Sequence, residues 1–419
     1  MGAISLLDIP VEMQLQIAEF VETRQTLKAL SVTSRSLRSI AQSILFKNLR
    51  IGLGKELKGS VDDLLANPRI CAAIRFLSLH TVYGSDAPRK VEEQLSLIQN
   101  LLPEMVGLRM VSIYHVNLSK TFLDAFLGIA AIMPLQIFLG YNIYPYIVFP
   151  APHTRLQISH LHCSDNQLPL DFYRSMFHAS ATTLTRLIIE PDGDGLMKLA
   201  DIDLPFLHDL TLSITKGNEV SRLSAGVFLT AQRAIRKLVL RGDVGPLPPI
   251  PLNALPNLRE LDASSELVNQ LVPGRPVEAI RVKFPQREFS PGCDPDWFGE
   301  EVGESTVRVR RLRVHHDTSI LDTRMVKRMV TLLPFLENLW LSVSGDVSWP
   351  FCSITRALVA HSPSGIPRCN PSPHFTQVPQ GPRLLSILSR RMGRPQHQRH
   401  RHQTAEGKFI LLISRDLER

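Results

Sequence analysis

Two stretches, Ile235-Arg236-Lys237-Leu238-Val239-Leu240 and Leu258-Arg259-Glu260-Leu261-Asp262-Ala263, decide how this chain of 419 residues is read. Each sets an apolar residue, two others, an apolar residue, one other and an apolar residue. The last two apolar positions lie two apart, so on an extended chain they point to one face. The same frame starts at Ile74, Leu108, Ile132, Ile158, Leu184, Leu207, Val277, Val309 and Leu336. Eleven starts between residues 74 and 336 are spaced by about 26 residues on average, inside the range of leucine-rich repeats. Between them, Leu95–Leu102, Thr121–Ile132 and Lys327–Leu333 have the apolar spacing of helices. Leu-Pro or Met-Pro steps such as Met133-Pro134 and Leu204-Pro205 end the helix and extend the chain before the next strand.

The expected fold class is therefore α/β, a leucine-rich-repeat-like solenoid over residues 51–349 whose parallel strands line its inner surface. The consensus Asn of regular leucine-rich repeats is mostly missing, and a non-repetitive α/β domain is the competing architecture. One uncharged stretch, Ala125–Phe149, is long enough for a bilayer. Pro134, Gln136, Asn142 and Pro145 interrupt it, so a helix and a buried strand are expected there instead.

The net charge of +8 is unevenly placed. From residue 350 onward 11 Lys and Arg meet 3 Asp and Glu, and the other 36 basic residues are balanced by 36 acidic ones. Residues 350–419 read as a basic, low-complexity, disordered tail, dispensable for folding. Its Arg/His run has no interleaved aromatics for base stacking, so nucleic acid is not the expected partner. The five cysteines, scattered and never in a Cys-x-x-Cys pair, exclude a disulfide framework or a standard zinc site. The apolar Ala3–Leu7 is cut by Asp8 and makes no signal peptide. An intracellular protein, cytoplasmic or nuclear, is the expectation.

No enzyme signature survives inspection. Ser213–Lys216 lacks the companion motifs of Ser-x-x-Lys enzymes. Gly52, Gly54 and Gly59 suggest a glycine-bearing loop without the Gly-Lys-Ser/Thr of a phosphate loop. Pro191–Gly195 reads as a turn, not a calcium loop, and His315-His316 has no neighbouring metal ligands in sequence. No catalytic residue, metal or cofactor is expected.

Residues 1–50 read as three helices. Pro10 suits a first helical turn, Met13, Ile17 and Phe20 form an apolar stripe, and Leu37, Ile40, Ile44 and Leu45 mark the third helix. The order Leu7-Asp8-Ile9-Pro10-Val11-Glu12, then Ile17, then Leu30 to Arg38, resembles the F-box, and Ile44–Ile51 is similar to its exit in fungal proteins. Together with the degenerate repeats, the chain resembles fungal F-box proteins with leucine-rich repeats. Ile9 stands where Leu is usual, and Leu37 where many members have Trp. The resemblance implies a substrate-recognition subunit of a Skp–cullin–F-box ubiquitin ligase. The Skp-type adaptor and its cullin complex would be partners, and Leu7, Ile9, Pro10, Ile17, Leu30, Val32 and Leu37 the adaptor contact. The alternative is a leucine-rich-repeat interaction scaffold without a ligase role, its N-terminal helices being a cap.

A target would bind the strand face opposite the apolar positions. Early repeats place Ser78, His80, Ser112, Tyr114, Gln136 and Phe138 there; later ones place Arg241, Arg281, Lys283, Arg313, His315 and Trp340, opposed mainly by Asp262. The later set suits an acidic or phosphorylated protein target.

Overall fold

A computed structural model describes residues 9–21, 23–54, 58–81, 88–116, 118–140, 155–164, 170–190, 195–214, 219–242, 245–283, 300–316, 328–329, 331–344, 387–388 and 408–414. The chain divides into two compact units, Met1–Leu207 and His208–Arg419.

The first unit opens with helices α1 (Val11–Glu19), α2 (Arg24–Thr33) and α3 (Arg35–Leu45). Pro10 sits one residue outside α1 as its N-cap, and its carbonyl accepts the amides of Met13 and Gln14 at 3.0 Å. Thr23 and Ser34 cap α2 and α3, each hydroxyl accepting a backbone amide three residues on. The helices close on Ala18, Leu27 and Ile40, with Val21, Leu30, Ile44 and Leu45 packed against that cluster. The stripe expected of Met13, Ile17 and Phe20 exists, but it faces outward: Gln14 and Ala18 are the buried residues of α1. Gln14 can be buried because its Nε2 donates to the Ile9 carbonyl at 2.8 Å.

Strands β1 (Asn48–Leu53), β2 (Phe76–Thr81), β3 (Met110–Tyr114), β4 (Leu135–Leu139), β5 (Ile158–Cys163) and β6 (Arg186–Ile189) follow, each parallel to the next. Helices α4 (Lys58–Leu65), α5 (Pro68–Ala73), α6 (Pro88–Leu101), α7 (Lys120–Ile132) and α8 (Leu170–Ser180) return the chain between them. Gly52 lies in β1 and Gly59 in α4, so the expected glycine-bearing loop is reduced to the turn at Gly54.

The second unit repeats the scheme with β7 (Asp209–Ser213), α9 (Glu219–Ala231), β8 (Lys237–Arg241), β9 (Glu260–Ser264), α10 (Ser265–Leu271), β10 (Ala279–Lys283), β11 (Arg311–His316) and β12 (Asn338–Ser344). These strands are also parallel in chain order. The expected disordered tail behaves otherwise at two places. Its residues Lys408–Ser414 form β14, antiparallel along the whole of β12, and Ile387–Leu388 form β13 on the far side of β14.

The last two residues of each of the eleven apolar triplets fall on a strand, and the middle residue of each, or the last one in the third triplet, belongs to one of two buried ladders. One runs Leu77, Val111, Ile137, Leu161, Leu187, the other Leu210, Leu238, Leu261, Ile280, Leu312, Leu339. The third triplet was set two residues early: Val111 pairs with Ile137, not Leu135. Ile132 consequently ends α7 at 76 % exposure, while the strand repeat starts from Pro134. Leu135, Ile137 and Leu139 are all buried, which is why the apolar pattern alone could not separate the two registers.

Leu238 is fully buried between Leu210 and Leu261. Leu238→Ala should cost roughly 2–5 kcal/mol, the range for a truncated core leucine. Chemical denaturation measures it, and a loss under about 1 kcal/mol would show that the site collapses around the smaller side chain.

Among the described residues no helix is long and apolar enough to cross a membrane. Ala125–Phe149 contains the end of α7 and all of β4, its last part lying outside the described residues.

Candidate interaction surfaces

Chemistry-bearing groups are few. Cys71 and Cys163 are buried thiols outside any disulfide among the described residues. Burial, with Glu104 adding to it, raises the Cys71 thiol, whose Sγ donates to the Leu64 carbonyl, so it is an inert core residue and not a nucleophile. Among the described residues no group of three His, Cys, Asp or Glu could hold a metal ion. Pro191–Asp194, Lys216 and the side chain of His316 lie outside the described residues.

The seven residues of the proposed adaptor contact are divided by the structure. Leu37 is buried, Leu30 packs on the three-helix cluster and Ile9 is half-buried, whereas Pro10, Ile17 and Val32 are exposed. Leu7 lies outside the described residues. Sequence reasoning missed the rest of this surface: Val11, Met13, Leu15 and Phe20 are also exposed, Phe20 at 86 %. Six large apolar side chains thus stand in solvent on α1, the residue after it and the end of α2. The signal that could have found them is the Gln14/Ala18 pair at i, i+4, which marks the inward face.

On the first unit's strand face Ser78 and Ser112 are buried, His80, Gln136 and Phe138 half-buried, and Tyr114 exposed. Phe138 meets His162 edge-on with centroids 5.4 Å apart. The ring of Tyr114 lies where a Cβ on residue 140 would stand, so a larger residue than Gly140 just after β4 would displace that exposed ring. This face is neutral and partly aromatic.

The second unit's face is ordered in rows by strand register. One row aligns Lys237, Glu260, Ala279, Arg311 and Asn338. Glu260 is bridged from both sides, by Lys237 at 3.3 Å and Arg311 at 3.0 Å. The next row aligns Val239, Asp262, Arg281, Arg313 and Trp340. Asp262 holds Arg281 at 3.4 Å, and Lys283 of the following row at 3.7 Å. In that last row Lys283 stands beside His315, and on β8 Arg241 pairs with Ser213. The six residues expected to bind a target therefore lie on one face, with Arg281, Arg313 and Trp340 on consecutive strands.

Glu260 and Asp262 are each shared by two cations. Arg313 has no hydrogen bond or ion pair among the described residues. Its guanidinium is held below its usual range by burial and by Arg281, with Asp262 opposing. Buried without a hydrogen bond are Arg281 Nε and Asp262 Oδ1. Two neighbouring arginines, Arg313 exposed and Arg281 partly so, thus face a carboxylate that Arg281 and Lys283 already share.

No protein-family model and no curated protein matches the chain. Among solved structures, a crystal structure of a TLR13–ssRNA13 complex is similar to it, with a TM-score of 0.35 and 13 % identity over 70 % of this chain. The chain spans about 40 % of that protein's length.

Proposed function

We propose that the chain is a leucine-rich-repeat-like interaction scaffold working as the substrate-recognition subunit of a Skp–cullin–F-box ubiquitin ligase, inside the cell. The three N-terminal helices dock on the Skp-type adaptor, and the strand face of the second unit holds the protein target. The chain does no chemistry of its own. It supplies effective concentration, since a tethered target meets the ubiquitin-loaded enzyme almost intramolecularly.

The observation that carries this reading is the outward apolar face of α1. A nine-residue helix that buries Gln14 and Ala18 while exposing Val11, Met13, Leu15 and Ile17 is built to be covered by something else. The order of residues resembling the F-box names what covers it.

A pull-down with a Skp-type adaptor tests the reading. The intact chain should be retained, and the double variant Ile17→Asp, Val32→Asp should lose at least about tenfold in affinity, because two charges would be buried in an apolar contact. Both side chains are exposed, so the variant keeps its fold. If the intact chain does not bind the adaptor, the ligase role falls and a scaffold without one remains.

A further inference from the structure

We propose that the strand face of the first unit carries a seat for one uncharged phenol ring, floored by the hydroxyls of Ser78 and Ser112 and walled by Phe76, Met110, Tyr114 and Phe138, and that its occupant is a tyrosine side chain of a protein partner. The inference goes beyond the reading above, which puts a target on the second unit only.

Two buried hydroxyls carry it. Ser78 and Ser112 are register partners on the neighbouring parallel strands β2 and β3, 8 % and 3 % exposed. Neither has a hydrogen-bond partner among the described residues, although buried side-chain hydroxyls are nearly always paired. They alternate with Leu77, Leu79, Val111 and Ile113, which are fully buried, so the serines point to the opposite face from the core.

The floor they make is sunk. Their row continues with Phe138 on β4, His162 on β5 and Ile188 on β6, all larger side chains. Along the strands, Phe76 and Met110 stand two residues before the serines, and His80 and Tyr114 two residues after them. These facing walls are therefore about 13 Å apart in backbone spacing, and Arg50 and Phe138, three strands apart, about 14 Å. With side chains lining all four sides, the hollow is too narrow for a helix of about 10–12 Å diameter and suits a single ring. Phe138 is the fixed wall, held edge-on by His162 with centroids 5.4 Å apart. Tyr114, 38 % exposed, is the wall with room to move.

The occupant follows from the chemistry of the lining. Aromatic walls favour a flat apolar ring, and a pair of hydroxyls that can donate and accept favours a tip that does both. A phenol supplies ring and tip in one rigid group. A phenyl ring would seal both hydroxyls from water without a partner, which costs affinity. A charged tip is disfavoured too. On β2, β3 and β4 this face has no carboxylate, lysine or arginine, and the one arginine of the serine row, Arg50, stands exposed at its β1 end. A phosphate seated on the serines would exchange its water for Phe76, Met110 and Phe138.

The test uses the full chain on degenerate peptides that differ at one fixed position, made with tyrosine, phenylalanine, phosphotyrosine or serine. Tyrosine peptides should be retained about tenfold better than the phenylalanine and phosphotyrosine forms, and serine peptides least of all. The double variant Ser78→Ala, Ser112→Ala should lose the preference for tyrosine over phenylalanine, because the phenol then meets two methyl groups. It should also melt no earlier than the intact chain, since it deletes polar groups that have no partner to lose. Equal retention of tyrosine and phenylalanine peptides by the intact chain would overturn the proposal, as would stronger retention of phosphotyrosine or an unchanged preference in the double variant. So would a double variant that melts well below the intact chain, by showing that the two hydroxyls hold the sheet together. The assay contains no adaptor, so failure of the ligase reading leaves its outcome untouched.

Discussion

Arg275→Met is expected to cost the second unit at least about 3–5 kcal/mol, the scale for stripping the partner from a buried charged hydrogen-bonding group. Arg275 is fully buried, and among the described residues no carboxylate pairs with it. Its guanidinium is held entirely by backbone carbonyls. Nε donates to Ala254 at 3.0 Å, Nη2 to Ile250 at 3.2 Å and Pro251 at 2.9 Å, and Nη1 to Leu271 at 3.1 Å, with Gln270 and Pro273 at 3.4 Å. The side chain ties the irregular return from β8 to β9 onto the C-terminal end of α10, where unpaired helix carbonyls favour a cation. Burial pushes its proton affinity down, yet six acceptors around one guanidinium keep the charged form in place.

Methionine fills similar space but removes only the donor half of this network. The carbonyls of Ile250, Ala254 and Leu271 stay where they are, so the favourable case in which both partners become apolar does not arise. Lysine keeps the charge with three donors in place of a five-donor fork and should recover little. Denaturant unfolding of the full chain, followed by a probe in the second unit, measures both variants. A cost under about 1 kcal/mol for Arg275→Met would mean that water takes the place of the guanidinium.

Much of the strand ladder was legible before any coordinates, because a period of two anchored in apolar residues is hard to mistake when it recurs eleven times. What the period cannot supply is register. Ile132-Leu135-Ile137 satisfied the same pattern as the true frame starting at Pro134, since alternation persists on either choice. The face of α1 failed for a different reason. A stripe of Met13, Ile17 and Phe20 tells which residues share a side, not whether that side is the core, and a capped glutamine took the inside instead. Arg275 could not be found at all, because its acceptors in the return from β8 lie 21 to 25 residues earlier in the chain. The charged strand face of the second unit was half legible. Strand alternation alone put Arg281, Arg313 and Trp340 on one face. That Lys237 and Arg311 share Glu260, while Arg281 and Lys283 share Asp262, needed the pairing of β8 through β11.

Removing everything after Gly345 should convert a well-behaved chain into one that self-associates, the reverse of what a dispensable tail implies. In the intact chain β14 covers the outer edge of β12 over seven residue pairs, from Asn338 with Ser414 to Ser344 with Lys408. The antiparallel direction suits a stop: it ends a run of parallel pairings by doubling the chain back along the last strand. Without β14, the outward amides and carbonyls of β12 become an open template for a second copy. Five consecutive apolar residues, Phe409–Ile413, were the available signal for this strand, hidden by averaging them with the Pro-, Arg- and His-rich composition around them. Light scattering across a dilution series, with thermal unfolding alongside, gives the readout. The truncated chain should show a mass that rises with concentration and a lower melting midpoint. The expected cause can be isolated by returning residues 408–414 as a free peptide, which should reduce the association by re-pairing the edge. A truncated chain of constant monomeric mass and unchanged melting would show that β12 needs no cover and that β14 is not the cap of this sheet.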